Sequence, residues 1–184
     1  MVERKSFIVT GASASGKTTL VRLAKEIGYE YLPGHTSREK RPDEIEGIDG
    51  VFVTRSLFEK NFRDGKYLEP SLEYAELKSI STYYGTPSEW IHLLNGPNRC
   101  ASPAALKMAR KVFQLSNAAW IHLICNDTDR IERLIARGYP QTEIDARMNS
   151  GDFAREIPRE AKVYNTSTLT PNELLQVIDE GAID

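Results

Sequence analysis

Two patterns of hydrophobic positions alternate along this chain. Short runs of β-branched and apolar residues predict buried strands, and segments whose apolar residues recur every three or four positions predict amphipathic helices. The clearest runs are SFIVT at 6–10 and AAWIHLIC at 118–125, and helical segments follow them at 18–27 and 127–138. Because strands and helices alternate, we expect an α/β fold with a central parallel sheet that carries helices on both faces.

The remaining elements have weaker patterns. We predict strands within 29–33, 66–69, 98–102 and 161–166. The segment 51–62 is predicted to be a strand that continues into a helix, and further helices are predicted at 87–96, 103–116 and 170–181. Proline near the first turn favours the helices at 87–96 and 170–181. Asp127 or Thr128 is expected to cap the helix at 127–138, because either side chain can accept a hydrogen bond from a free backbone N–H group.

Several chemically versatile side chains fall at apolar positions of these segments. A histidine, tryptophan or cysteine in such a position packs in a core far more often than it binds a ligand. We therefore expect burial for His92, His122, Trp90, Trp120, Cys100 and Cys125. Two cysteines form no disulfide framework and indicate a reducing compartment, and no spacing of cysteines and histidines predicts zinc.

The length and charge of the chain limit the classes of function. A chain of 184 residues is enough for one sizeable core, and 24 basic against 26 acidic residues leave a formal net charge of −2. A protein that grips long nucleic acid through its charge is normally more basic, so we expect a small-molecule partner. The apolar run before the first glycine is too short for a signal peptide or a membrane span, which predicts a cytoplasmic location. We expect a monomer or a homodimer.

A glycine-rich segment, GASASGKT at 11–18, lies between the first predicted strand and helix and fits G-x-x-x-x-G-K-[ST]. Gly11 and Gly16 allow the backbone to wrap with its N–H groups facing inward, and the dipole of the following helix favours an anion there. Lys17 is expected to reach the β- and γ-phosphates, and the Thr18 hydroxyl to ligate Mg²⁺. We therefore predict a site for a nucleotide polyphosphate and Mg²⁺ formed by Gly11, Ser13, Ala14, Ser15, Gly16, Lys17, Thr18 and Thr19, a kind of site that GTPases, motors, transporters and small-molecule kinases share.

A second basic cluster, HTSREKRP, follows at 35–42. Arg38 and Arg41 are three residues apart, and two guanidinium groups this close can grip one phosphate with bidentate geometry. Farther along, the Tyr84 hydroxyl can donate to a phosphate, and the Glu69 carboxylate can accept hydrogen bonds from a base or a sugar. The cluster therefore predicts a second, smaller phosphorylated ligand.

Taken together, these motifs resemble those of the guanylate kinase family. The likeness begins with the glycine-rich loop and continues through T-[ST]-R-x-x-R-x-x-E-x-x-G-x-D at 36–49 and Y-G-[ST] at 84–86. IERLIARG at 131–138 and EIDARM at 143–148 resemble the lid of that family, and YNTSTL at 164–169 resembles the strand end beside the adenine. The single pieces are weak signals, whereas the ordered set is specific.

The resemblance implies an ATP-dependent phosphoryl transfer and a role for each matching residue. Arg38, Arg41 and Tyr84 would hold the acceptor monophosphate, with Thr36 in the same site, while Glu69 and Thr86 would face its base or sugar. Lys17, Arg137 and Arg147 would surround the transferring phosphoryl group, and Arg133 would lie beside the donor. The implied fold is the three-layer P-loop NTPase fold, as a single domain over 1–184. Its core would be 1–33, 87–136 and 152–184, its acceptor-binding region 34–86, and its lid 137–151.

The chain departs from that family at positions that contact the acceptor. Gly34 and Gly50 stand where the family has a serine and a phosphate-binding tyrosine, and the family's acidic pair would fall near Ala101 and Pro103. The loop at 70–83 is also longer than expected. Because the acidic pair serves catalysis and guanine recognition, these departures indicate that guanine specificity is lost or rebuilt.

Three functions stay open on the sequence. The first is a kinase of a nucleoside monophosphate, either GMP or dGMP or one with a different or modified base. The second is a sugar-phosphate kinase that resembles the ribose 1,5-bisphosphate phosphokinases, which need no carboxylate to read a base. The third is a non-catalytic binding module, but such domains typically lose the loop lysine and the lid arginines that are present here.

Overall fold

The computed structural model describes residues 3–41, 44–68, 82–149 and 156–181. The strands are β1 (Phe7–Gly11), β2 (Glu30–Leu32), β3 (His35–Thr36), β4 (Val51–Phe52), β5 (Tyr84–Gly85), β6 (Arg99–Ala101), β7 (Ala119–Ile124) and β8 (Lys162–Asn165). The helices are α1 (Lys17–Glu26), α2 (Arg55–Arg63), α3 (Trp90–Leu94), α4 (Leu106–Leu115), α5 (Asp127–Ala136), α6 (Gln141–Asn149) and α7 (Pro171–Gly181).

Five of these strands form the central sheet, in the order β2-β6-β1-β7-β8, and every pairing in it is parallel. Alternate residues of β1 belong to two separate buried clusters. Val9 lies in one cluster with Leu20 of α1 and Ile178 of α7, and Ile8 lies in the other with Val112 of α4. The sheet is therefore covered by helices on both faces, which confirms the predicted α/β fold.

The central position of β1 determines where a ligand can bind. Its five residues are all buried, and it pairs with β7 from Phe7 opposite Ala119 to Gly11 opposite Leu123. The glycine-rich loop therefore leaves the sheet at the carboxyl ends of its two central strands. Open parallel sheets bind their ligands at this edge.

A second sheet of three short strands, in the order β4-β3-β5, was not predicted. Strand β3 pairs in parallel with β4 and antiparallel with β5. Strand β4, followed by α2, confirms the strand and helix predicted at 51–62, whereas β3 and β5 were not predicted because two residues are too few for a periodic pattern. This sheet brings the basic cluster next to Tyr84. The strand predicted at 66–69 is present only as an isolated bridge from Tyr67 to Pro87, and Glu69 lies outside the described residues.

Some local predictions are wrong. Helix α3 is shorter than the predicted 87–96, and His92 on it is exposed rather than buried. Helix α5 begins at Asp127, so Asn126 rather than Asp127 or Thr128 is at the N-cap position, and its side chain makes no capping hydrogen bond; the Asp127 carboxylate accepts a hydrogen bond from Arg130 at 2.8 Å. Cys125 is only partly buried. The burial predicted for Trp90, Trp120, His122 and Cys100 is confirmed.

A buried polar chain lies beneath the glycine-rich loop. The Trp120 indole N–H donates to Thr10 Oγ1 at 2.8 Å, and Thr10 Oγ1 lies 2.8 Å from His122 Nδ1. All three side chains are at most 2 % exposed. Burial and, to a smaller extent, the charge of Lys17 lower the pKa of His122 from 6.5 to about 4. The folded protein therefore holds this imidazole neutral.

We expect His122 to make the protein less stable in acid. Between about pH 6.5 and about pH 4 the unfolded chain binds a proton at this residue that the folded chain does not, so the free energy of unfolding falls as the pH falls. Urea denaturation at several pH values should show a flatter dependence in His122→Phe. The exposed His92→Gln is the control and should keep the wild-type slope. An unchanged slope in His122→Phe would contradict the role of this histidine.

Candidate active site

The glycine-rich loop adopts a conformation that depends on two glycines. A Cβ atom on Gly11 would lie 2.3 Å from the Leu123 carbonyl oxygen, and Gly16 has a φ angle of +98° in the left-handed region. Ala14 also has a positive φ of 63°, and it is held there by packing against Leu134 and Ile144 of the two helices beyond β7. Non-glycine residues adopt this conformation rarely, so contacts around the loop stabilise its shape.

Five consecutive carbonyl oxygens of this loop accept hydrogen bonds from side chains. Those of Gly11 and Ala12 accept from Lys17 Nζ at 2.7 and 2.8 Å, and that of Ser15 accepts from Thr166 Oγ1 at 3.0 Å. The other two bonds run from Arg130 Nε to Ser13 O at 3.0 Å and from Arg133 Nη1 to Ala14 O at 3.1 Å. Because these oxygens are occupied, the loop can turn its N–H groups towards an anion.

Lys17 is the cation at the centre of this loop. Burial and the nearby charges of Arg130 and Arg137 lower the pKa of its ammonium group from 10.5 to about 8. The Thr18 and Thr19 side chains beside it are exposed. The position of Lys17 at the start of α1 combines its charge with the positive end of the helix dipole, which favours a polyphosphate.

We expect the affinity for ATP to fall as the pH rises through about 8, because only protonated Lys17 carries the charge that attracts the phosphates. The protonated fraction drops roughly tenfold between pH 7 and pH 9, and the Kd for ATP should rise by about that factor. Isothermal titration calorimetry over this range provides the measurement. Lys17→Arg stays charged throughout and should bind with little pH dependence; an equal dependence in both proteins would contradict the assignment.

The predicted lid arginines differ in their surroundings. Arg137 is exposed at the end of α5, yet it is close enough for its charge to act on Lys17. Arg147 on α6 donates to Glu143 at 2.6 Å and lies 4.2 Å from the ring centre of Tyr139. The Arg133 guanidinium braces the loop and also donates to Thr166 Oγ1 and Thr166 O at 3.1 Å. The predicted donor contacts of these arginines stay predictions.

Opposite the loop lies a cavity of about 260 Å³ that combines donor-side and acceptor-side residues. Lys17 contributes to its wall together with four of the predicted acceptor residues, Thr36, Arg38, Tyr84 and Thr86. The small sheet β4-β3-β5 positions these four, because it joins segments that are far apart in sequence. Lys17 of the predicted donor site therefore lines the same space as four predicted acceptor residues.

Glu44 organises the two arginines of the basic cluster. Arg38 donates to its two carboxylate oxygens at 2.7 and 2.5 Å, and Arg41 Nη1 donates at 3.3 Å. Burial disfavours the charged form of Arg38, but the hydrogen bonds that Arg38 donates to Glu44, the charge of Glu44 and the nearby Tyr84 together outweigh it and raise the pKa of Arg38. The Arg38 guanidinium also lies 5.0 Å from the ring centre of Phe52. The cluster is therefore preorganised for an anion, with Arg38 more firmly held than Arg41.

Apolar residues stand at positions 101 and 103, where the family's acidic pair would fall. Ala101 and Pro103 are buried, and only Ser102 between them lines the cavity. A Cβ atom on Gly34 would lie 3.6 Å from the Gly85 carbonyl oxygen and 3.9 Å from the Trp90 ring, so a side chain could begin there without a clash. At Gly50 a Cβ atom would lie 3.2 Å from the Phe52 ring, which occupies the room that a larger residue would need.

Three residues near the site were given no role by the sequence. Glu44 is part of the T-[ST]-R-x-x-R-x-x-E motif, so its position was visible, although its bridging contacts were not. Thr166 and Arg130 were not singled out. Thr166 directly follows β8 and Arg130 lies on α5; both meet the glycine-rich loop from more than 100 residues away, and no local pattern marks such contacts.

A nucleotide-binding loop at the carboxyl edge of a parallel sheet defines the P-loop class of α/β proteins. Within that class, the family model described as guanylate kinase matches residues 3–115. The chain is 34 % identical over 156 residues to the guanylate kinase of Streptococcus pneumoniae strain R6, an alignment that covers 79 % of this chain and 71 % of that one. The protein belongs to the guanylate kinase family, whose members are nucleoside monophosphate kinases.

Comparison with solved structures supports the fold. A guanylate kinase from Anaplasma phagocytophilum superposes with a TM-score of 0.63 at 15 % identity, covering 98 % of this chain and 85 % of that one. A gluconokinase from Sinorhizobium meliloti 1021 superposes with a TM-score of 0.53 at 16 % identity, covering 99 % and 93 %. The P-loop NTPase fold predicted from the sequence is thus confirmed. Among the described helices, none is long and apolar enough to cross a membrane.

Proposed function

We propose that this protein transfers the γ-phosphoryl group of ATP to the phosphate of a small phosphorylated acceptor, most favourably a nucleoside monophosphate, to give the diphosphate. The observation that carries this proposal is the single cavity lined by both Lys17 and Arg38. Lys17 would hold the phosphate of the donor on one side of the cavity, and Arg38 would hold the phosphate of the acceptor on the other side. Phosphoryl transfer depends mainly on positioning and on neutralising charge, and both are properties of this cavity.

The donor's phosphates would lie on the glycine-rich loop. The loop N–H groups and Lys17 would bind the β- and γ-phosphates, and Thr18 would contribute a hydroxyl to Mg²⁺. Within the described residues there is no cluster of His, Cys, Asp and Glu that could hold a metal by itself, so Mg²⁺ would be bound largely by the donor's own oxygens. The exposed Thr18 hydroxyl and the occupied loop carbonyls fit this arrangement.

On the acceptor side, Arg38, Arg41 and Tyr84 would hold the phosphate that attacks. One of its oxygens would bond to the γ-phosphorus as the bond from that phosphorus to the β–γ bridging oxygen breaks, which releases ADP. The oxygen of a phosphate dianion needs no general base. Arg137 and Arg147 would neutralise charge on the transferring group when the lid closes and excludes water.

The nature of the acceptor beyond its phosphate is the finer part of the proposal. The spacing of Arg38 and Arg41 and the presence of Glu69 favour a nucleotide. The apolar residues Ala101 and Pro103 and the absence of a side chain at Gly34 argue against the guanine contacts usual for the family. A nucleotide with a different or modified base satisfies both sets of observations.

A sugar phosphate is the second candidate acceptor, and it is favoured by the same apolar positions. A non-catalytic binding module is disfavoured, because Lys17, Thr18, Arg137 and Arg147 are all present.

The decisive experiment measures ADP formation with all common ribo- and deoxynucleoside monophosphates and with ribose 1,5-bisphosphate. We expect ADP to form faster with one acceptor than with ATP alone, and the product to be the acceptor with one added phosphate. Lys17→Ala protein purified in parallel controls for contaminating kinases. Preference for ribose 1,5-bisphosphate would select the sugar-phosphate kinase, and the absence of acceptor-dependent ADP across the whole panel would contradict a kinase.

A further inference from the structure

Arg130 has a buried guanidinium group in contact with the glycine-rich loop. The residue is 4 % exposed and lies in the first turn of α5. Its Nε donates to the Ser13 carbonyl oxygen at 3.0 Å, and its Nη1 donates to Asp127 at 2.8 Å. The third nitrogen, Nη2, is buried and has no hydrogen-bond partner in the part of the chain that the structure describes.

The geometry of a guanidinium group fixes the direction in which Nη2 donates. The N–H of Nε and one N–H of Nη2 point in parallel, which is why arginine grips two oxygens with that edge. Since the Nε–H of Arg130 points at the Ser13 carbonyl, the parallel Nη2–H is directed towards the same loop. A buried N–H on a charged group is costly to leave unpaired, so this donor is suited to an oxygen that a ligand supplies.

The charge of Arg130 is only partly compensated. Its one ionic partner among the described residues, Asp127, has a side chain that is 76 % exposed, whereas that of Arg130 is 5 % exposed. In addition, Arg130 acts more strongly on the ammonium group of Lys17 than Arg137 does, since it contributes more to lowering the pKa of Lys17. A permanent positive charge therefore lies beside the loop even before the lid closes.

We propose that Arg130 is a donor-binding residue, whose Nη2 donates to an oxygen of the polyphosphate while its Nε holds the Ser13 carbonyl. In this arrangement Arg130 joins Lys17 in binding the polyphosphate, and the exposed Arg137 lies close enough for its charge to act on Lys17. This inference rests on the proposed function for the identity of the donor as a nucleoside triphosphate. It does not depend on which acceptor is used.

Calorimetric binding of inorganic tripolyphosphate, ATP and AMP tests the proposal. Arg130→Lys keeps the charge but loses the parallel pair of donors, and it should weaken tripolyphosphate and ATP binding by about 10- to 100-fold while changing AMP binding by less than about twofold. Arg159→Lys, at an exposed arginine, is the control and should bind all three as the wild type does. If Arg130 only braces the fold, Arg130→Lys will lower the melting temperature but bind tripolyphosphate normally while folded, which would overturn the proposal.

A second pair of variants keeps the test valid if Arg130→Lys does not fold. Asp127→Asn leaves Arg130 in place and removes its ionic partner, while Asp129→Asn removes an equal charge from the same first turn of α5. Asp127→Asn should tighten tripolyphosphate binding several-fold more than Asp129→Asn does; equal effects would contradict the proposal. Failure of the wild-type protein to bind either ATP or tripolyphosphate would instead contradict the proposed function, and this inference with it.

Discussion

Lys17→Ala should lower kcat by at least about 100- to 1000-fold and leave the fold intact. Removing one preorganised donor from a site where charge moves during the reaction typically has this effect. Lys17 belongs to both halves of the site, since it donates to the loop carbonyls of Gly11 and Ala12 and also lines the acceptor cavity. A neutral methyl group at this position can neither attract the phosphates nor stabilise the charge that passes between them.

The measurement for this prediction is steady-state ADP formation at saturating ATP and acceptor. Lys107→Ala, which removes an exposed lysine from α4, is the matched control and should keep wild-type turnover. Circular dichroism and the melting temperature establish that the Lys17→Ala protein is folded. Turnover within about tenfold of the wild type would mean that the donor site is misplaced.

Arg38→Ala should raise the KM for the acceptor by about 10- to 100-fold and change the KM for ATP by less than about twofold. A charge-assisted hydrogen bond to a phosphate contributes roughly 1.5–3 kcal/mol, which corresponds to this range. The effect should be larger than that of Arg41→Ala, because Arg38 is held by two bonds to Glu44 and lines the cavity, whereas Arg41 makes a single longer side-chain contact with Glu44.

Arg63→Ala provides the control for this second prediction. Arg63 is an exposed arginine at the end of α2, away from the residues that line the cavity, and its loss should leave both KM values unchanged. Initial rates measured with each substrate varied in turn give the two constants. Equal increases in the KM for ATP and in the KM for the acceptor would contradict the assignment of Arg38 to the acceptor site.

Local signals made the donor side of the molecule predictable. The loop at 11–18 occupies one continuous segment. The strand before it and the helix after it are long enough for the spacing of their hydrophobic residues to identify them. The acceptor side is assembled from β3 and β5, which have two residues each and lie 48 residues apart, so neither strand could be inferred. The resemblance to a family, rather than any periodicity, placed Tyr84 beside the basic cluster.

Buried charge was the least predictable feature. Arg130 follows Asp127 and Asp129 at a helix start, a composition typical of an exposed turn, and only the fold brings it under the loop. For His92 the prediction failed in the other direction, since burial was expected and the side chain is exposed. Helix α3 has only five residues, too few for the pattern of hydrophobic positions to decide which side chains face the core. Glu69, whose predicted contact with the base matters most for the acceptor, lies outside the described residues, so its role stays a prediction.

The five hydrogen-bonded carbonyls of the glycine-rich loop have a consequence for the thermodynamics of donor binding. A loop whose shape is already imposed by Lys17, Arg130, Arg133 and Thr166 loses little conformational entropy when a nucleotide arrives. Most of the ordering occurs once, when the chain folds, and is not repeated in each catalytic cycle. Donor affinity in this protein should therefore respond to substitutions on β8 and α5 as strongly as to substitutions in the loop itself.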